Sequence, residues 1–142
     1  MLWADHARNE LREAGHRTGG AREAVVGYLS SRDCCVSAQE VHAGLGGQGT
    51  RIGIASVYRA LEQLDELRLV HRVDLGDGVA RFEPALPDGA HHHHVVCDDC
   101  GRVEQFSDRQ LESRLTSVAG GLGFELGEHD VVLHGSCPDC RD

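Results

Sequence analysis

An α+β chain in two parts is what the sequence predicts: an N-terminal winged helix, then a C-terminal α+β half carrying a structural zinc site. Three observations point there. Helical periodicity runs to about residue 67 and gives way to two short alternating stretches around Gly76-Asp77-Gly78. Four of the six cysteines form two pairs, Cys97-x-x-Cys100 and Cys137-x-x-Cys140. Directly ahead of the first pair, "AHHHHVVCDDCG" sets four consecutive histidines inside the chain, away from the ends where purification tags sit.

Each element follows in order. Residues 3–15 read as a helix with Leu11 and Ala14 on one side, and "AREAVVGYLSSR" (21–32) carries Val25, Val26 and Leu29 at helical spacing. Ser37 with Glu40 three residues on is a capping box, which opens a short helix to Leu45. "GLGGQGTRIG" (44–53) is turn-rich and reads as a loop. The clearest amphipathic helix follows over 54–67, with Ile54, Val57, Leu61, Leu64 and Leu67 three and four apart. "LVHRVDL" and "VARFEP" are two strands joined by the glycine-flanked turn, a hairpin signal. Helices closed by a hairpin suggest a winged helix over 1–83, with 54–67 as the helix offered to DNA. After a linker at 84–90, residues 91–142 read as strands "HHHHVVC" and "GRVEQF", a helix from Asp108 to Ala119, and strands "GFEL" and "DVVLHG".

Charge is uneven along the 142 residues. Residues 1–72 hold nine Arg and nine acids, while 73–142 hold five Arg and fourteen acids, which supplies the whole net charge of −9. An acidic total argues against non-specific coating of nucleic acid, yet it leaves room for a neutral half with its arginines on one face. No apolar run approaches the roughly 18–20 residues of a membrane span and no signal peptide opens the chain, so a soluble, cytoplasmic protein is expected.

In a cytoplasmic protein, two CxxC pairs read as a tetrahedral zinc site before they read as disulfides. Each pair makes a turn that aims two thiolates at one ion. The 36 residues between the pairs exceed a minimal zinc ribbon, so a small domain must fold between them. Cys34 and Cys35 lie outside this pattern and are expected to be packed or in a loop. Strand geometry divides the histidine run, because successive side chains point to opposite faces. His91 and His93 then face one way and His92 and His94 the other. They make two ligand pairs that each need partners from elsewhere, and imidazole with carboxylate suits zinc, iron, nickel or manganese.

"GHRTGGAR", "SVYRAL", "HHHHVVCDDCG" and the final "CPDC" together resemble the ferric uptake regulator family of bacterial metal-responsive repressors, over nearly the full length of the chain. The resemblance implies a winged-helix domain, a hinge at 84–90 and a C-terminal domain that dimerises. It assigns the structural zinc to Cys97, Cys100, Cys137 and Cys140. It puts Glu83, His92 and His94 in a regulatory site near the hinge, and His91, His93, Glu112 and His129 in a second site. On the helix offered to DNA it points to Ser56, Tyr58 and Arg59, with Arg17 and Arg22 reaching the backbone or minor groove.

The chain departs from the family pattern at several positions. Cys35 stands where a hinge-site histidine is usual, His71 occupies an acidic ligand position of the zinc-sensing branch, and Gln105 replaces an acidic ligand, with Glu104 beside it. The cysteine that zinc sensors carry near Glu83 is missing, and Gly19 replaces a capping Thr. The expected regulatory shell is therefore His71, Glu83, His92 and His94, with Cys35 as an alternative ligand. Zinc is favoured as the sensed metal. Ferrous-iron or peroxide sensing is the alternative within the family. The function expected is a homodimeric, metal-dependent repressor of metal uptake or homeostasis genes, bound to a pseudo-palindromic double-stranded operator, without catalysis, small-molecule substrate or membrane. The rival from another class is a zinc metallohydrolase, against which stands the absence of H-E-x-x-H and of any His with Glu two residues later.

Overall fold

The structure is a computed structural model that describes residues 2–17, 19–87 and 92–141, and the chain divides into two compact units, Met1–Ala90 and His91–Asp142. The first unit runs α1 (Trp3–Glu13), α2 (Gly20–Ser30), β1 (Val36–Ser37), α3 (Ala38–Gly47), α4 (Ile54–Glu66), β2 (Val70–Asp74) and β3 (Ala80–Pro84). The three strands form an antiparallel sheet in the order β1-β3-β2. This is a winged helix: four helices around one core, with β2 and β3 as the wing.

Its core is the sum of the apolar rows that the periodicity marks. Val57, Ala60, Leu61 and Leu64 of α4 meet Val25, Val26 and Leu29 of α2 and Val41 and Leu45 of α3, nearly all excluded from solvent. Full burial of one such aliphatic side chain stabilises by about 1.5–3 kcal/mol. Ile54, first in the α4 row, stays exposed in the opening turn. Trp3 fixes α1 by donating its indole N–H to the Leu69 carbonyl at 2.8 Å. The capping box forms as expected, with the Glu40 N–H donating to the Ser37 hydroxyl at 3.1 Å. Gly19 caps α2 with φ 94° and no side-chain bond, as its lack of a hydroxyl requires.

One expectation falls short in this unit, and one element was not foreseen. The glycine-rich segment from 44 is not all loop, because α3 continues to Gly47. Gly44, within the helix already expected, serves packing: a Cβ on it would lie 2.3 Å from the Tyr28 hydroxyl, so this glycine lets two helices approach. Strand β1 was not foreseen, since a two-residue stretch has no readable period.

The second unit contains β4 (His93–Cys97), β5 (Val103–Phe106), α5 (Arg109–Gly121) and β6 (Val132–Gly135), with sheet order β5-β4-β6. β4 pairs antiparallel with β5 and parallel with β6. Asp108 caps α5 by accepting the Leu111 N–H at 3.0 Å. "GFEL" is not a strand. Phe124 is 70 % exposed and the segment pairs with no described strand, so its brief alternation has no surface to pack on. Of the expected hinge at 84–90, residues 88–90 lie outside the described residues, as does His91.

Candidate metal centres

The four paired cysteines converge. Cys97 ends β4, and the parallel register that sets Cys97 beside Gly135 of β6 carries the terminal segment back to the first pair. Two tight turns do the rest: Gly101 N–H donates to the Cys97 carbonyl at 2.9 Å, and Cys140 N–H to the Cys137 carbonyl at 3.0 Å. All four Sγ atoms lie within 4.8 Å of one another, and Cys100 and Cys137 are 3.8 Å apart. A tetrahedral ion with 2.3 Å bonds to sulfur needs edges of about 3.8 Å. The Cys137 backbone N–H donates to the Cys97 sulfur at 3.3 Å. That bond, with further help from the Cys100 N–H, lowers the Cys97 thiol to about 6. Neighbouring thiols push Cys140 up to about 12, so the cluster suits a cation that can stabilise all four as thiolates.

A second cluster joins His93, Glu112 and His129. Glu112 projects from the first turn of α5 and bridges the two imidazoles, with Oε1 to His93 Nε2 and Oε2 to His129 Nε2 at 2.7 Å. His129 Nδ1 meets the Gly127 carbonyl at 2.9 Å, the outer hydrogen bond that orients a ligating imidazole. That bond and then Glu112 raise the His129 pKa. His93 is more constrained. Its Nδ1 accepts the Val131 N–H at 3.1 Å, so the neutral ring carries its proton on Nε2 and donates to Glu112. Ligation through Nε2 requires this bond to be given up. Three of the four expected second-site residues are thus together, and His91 is outside the described residues. Val131, Gly127 and the Phe106 ring, 5.7 Å from His93, support the cluster and carried no sequence signal, because the contacts are long-range or through the backbone.

The expected regulatory residues lie in both units. In the first, His71 of β2 is directly opposite Glu83 of β3, so both side chains project from one face of the wing. Glu83 is buried and His71 half-buried. Cys35 is buried just before β1, where Val36 pairs with Phe82; extending that register by one residue puts Cys35 opposite Glu83. In the second unit, His94 is buried on β4 and faces away from His93 by strand alternation, with half-buried His92 two residues before it. Gln105 is the β5 partner of His94. Glu104 instead forms an exposed ion pair with Arg102 at 2.6 Å, so it does not take the missing acidic ligand's place.

On α4, burial separates the core face from the presented one. Val57 is fully buried, whereas Tyr58 is 41 % exposed and so is not a core residue. Its hydroxyl accepts from Gln39 Nε2 at 2.7 Å, and Arg59 donates to the Ser56 hydroxyl at 3.2 Å. Arg22 donates to the Arg17 carbonyl at 3.4 Å and to Gln63 of α4 at 3.3 Å, and Arg17 is exposed. Gln39, which positions Tyr58, was not singled out by sequence because its neighbour is on another helix.

Residues 13–134 match the family described as the ferric uptake regulator family. The chain belongs to the ferric uptake regulator family. Among relatives, the ferric uptake regulation protein of Cupriavidus metallidurans is 44 % identical over 115 residues, covering 80 % of this chain and 79 % of that protein. The ferric uptake regulator of Vibrio cholerae superposes with a TM-score of 0.78 at 35 % identity, covering 89 % of this chain and 96 % of the other. The Helicobacter pylori regulator, described as having three functional metal-binding sites, gives 0.83 at 25 % identity over 99 % and 92 %. Members of the family are metal-responsive transcriptional regulators that bind DNA operators as dimers, and they are not enzymes; the hydrolase alternative is set aside. No helix among the described residues is long and apolar enough to cross a membrane.

Proposed function

We propose that this regulator is a homodimeric repressor of metal-homeostasis genes, active when a cation is held by His71, Glu83, His92 and His94, with zinc the favoured ion. The observation that carries the reading is the His71–Glu83 row on the wing, on strands that continue directly from the DNA-presenting helix α4. When bound, the cation would supply positive charge and hold its ligand side chains in one arrangement. Without it the DNA-competent arrangement is one among many, and affinity falls by its fraction. Four N and O ligands suit a tetrahedral ion, which zinc accepts. The second reading is ferrous iron, favoured by the oxygen ligand Glu83 and by relatives named as ferric uptake regulation proteins.

Cys97, Cys100, Cys137 and Cys140 would hold a structural zinc, and His93, Glu112 and His129, with His91, a second ion. Homodimerisation is supported by exposed Val118, Leu122, Phe124 and Leu133, apolar surface that a partner subunit would cover. Two α4 helices would then enter successive major grooves of a pseudo-palindrome. Arg59 reads guanine, the Tyr58 edge meets a thymine methyl, Ser56 bonds either, and Arg17 and Arg22 bind phosphates.

The test titrates the dimer, structural zinc retained and other metal stripped, with zinc and with anaerobic ferrous iron while operator binding is followed. Activation by iron at buffered levels where zinc has no effect overturns the choice of zinc. His92→Ala should abolish metal-induced DNA binding with the dimer intact, whereas His93→Ala should mainly weaken the second site. Loss of the same metal equivalent in both variants would refute the opposite-face assignment.

A further inference from the structure

The adjacent cysteines of the first unit have a geometry that packing alone does not require. Cys34 and Cys35 Sγ are 3.8 Å apart, the same separation as Cys100 and Cys137 in the four-cysteine cluster. Neighbours in an extended strand would aim their thiols to opposite faces. Here the chain bends at Asp33 and Cys34 before β1 begins, and both sulfurs come to one side. Cys35 then falls in one cross-strand row with Glu83 and His71, by the β1–β3 and β3–β2 registers.

Disulfide formation fits this pair poorly. Adjacent Cα atoms are about 3.8 Å apart across a trans peptide, below the roughly 4.4–6.8 Å that disulfides span. Chelation fits well, because about 3.8 Å is the edge of a tetrahedron of thiolates around a zinc-sized ion.

We propose that Cys34 and Cys35 are a dithiolate arm for the regulatory cation, joining Glu83 and imidazole in a four-donor sulfur, oxygen and nitrogen shell, in place of nitrogen and oxygen donors alone, that selects zinc over ferrous iron. It rests on the regulatory-site reading above. Each thiol that binds releases one proton, and no electron is transferred. Thiolates favour zinc, whereas a shell of oxygens and imidazoles leaves iron and manganese competitive.

Cobalt(II) provides the test, since sulfur bound to it gives a near-ultraviolet charge-transfer band. The dimer, with structural zinc retained and counted before and after, is titrated anaerobically with cobalt while absorbance and operator binding are followed. The band should saturate at one equivalent per chain, weaken in Cys34→Ser and vanish in the double variant Cys34→Ser/Cys35→Ser. Cys35→His should keep cobalt-induced DNA binding with a weaker band and a lower preference for zinc over iron. In the unaltered protein, zinc should protect both cysteines from alkylation, which needs no variant. Cobalt-activated DNA binding with no band overturns the dithiolate arm and leaves the regulatory reading standing. A band that survives in the double variant with the structural zinc fully retained also overturns it. A band that obeys the variants, with DNA binding indifferent to every metal, supports the dithiolate and sinks the regulatory reading.

Discussion

Between Trp3 and Phe82 the chain closes an apolar core in which Val25, Val26, Val41, Val57 and Leu64 have no solvent exposure, whereas from His92 onward the buried residues described are His93, His94 and Cys97. No residue of α5 is buried, and Val118, Leu122, Phe124 and Leu133 are at least half exposed. The first unit has the means to fold by burying aliphatic surface. Among its described residues the second buries histidine and cysteine and leaves its apolar side chains outside, so it lacks the aliphatic core of the first, and the cations and partner subunit proposed above are the supports it would use. A small unit without a core of its own commonly depends on such supports.

The largest effect that would test this contrast is removal of one sulfur ligand. Cys97→Ser should release one zinc per chain and unfold the second unit, since structural zinc binding contributes on the order of 10–16 kcal/mol of folding free energy. Zinc analysis with size-exclusion chromatography reads it, and a variant that keeps zinc and dimer refutes the assignment. Next, Leu64→Ala should cost about 2–5 kcal/mol in the first unit and lower its melting temperature, with zinc content and dimer unchanged. Phe124→Ala should behave oppositely. Folding stability of the subunit should stay within about 0.5 kcal/mol, while dimer dissociation strengthens by about 2 kcal/mol, roughly thirtyfold, in sedimentation. An unchanged dimer constant would remove Phe124 from the interface.

A pH comparison sharpens the picture of the His93–Glu112–His129 cluster. The His129 pKa is raised by the Gly127 carbonyl and then by Glu112, so protonated His129 stabilises the fold when the second site is metal-free. That contribution is fully present below the ordinary imidazole value of about 6.5 and is lost as pH rises through the raised value. Denaturation midpoints of the unaltered protein and His129→Asn, both without second-site metal, should differ more at about pH 6 than at about pH 8. A difference that is constant or grows with pH contradicts the bridging role of Glu112. Smallest of all, Ser37→Ala removes the side-chain half of the α3 cap and should cost about 1 kcal/mol in the first unit alone.

Much of this molecule was legible before any coordinates. The helical row from Val57 to Leu64, the capping box at Ser37 and the glycine-flanked hairpin are local patterns, and local patterns act through neighbours in sequence. The opposite facing of His93 and His94 was equally local, since it needs only the two-residue period of a strand; His92 precedes β4 and His91 lies outside the described residues. What failed was local pattern with tertiary purpose or without tertiary support. The helix expected to end at Leu45 runs on to Gly47, through two glycines that carry no helix signal. "GFEL" alternates like a strand and pairs with no described strand.

The sequence by itself determined the helices and wing of the first unit, the residue types of each metal cluster and, through "SVYRAL" and the two CxxC pairs, the family. Only the tertiary structure decided which donors meet. It joined Cys97 to Cys137 through the parallel β4–β6 register, hung His93 and His129 on one Glu112 carboxylate, and set His71 opposite Glu83. The physical reason is range. Propensity, capping and periodicity are settled within a few residues, whereas a ligand set joins atoms dozens of residues apart, and their separation is fixed only once strands have registered and the chain has closed.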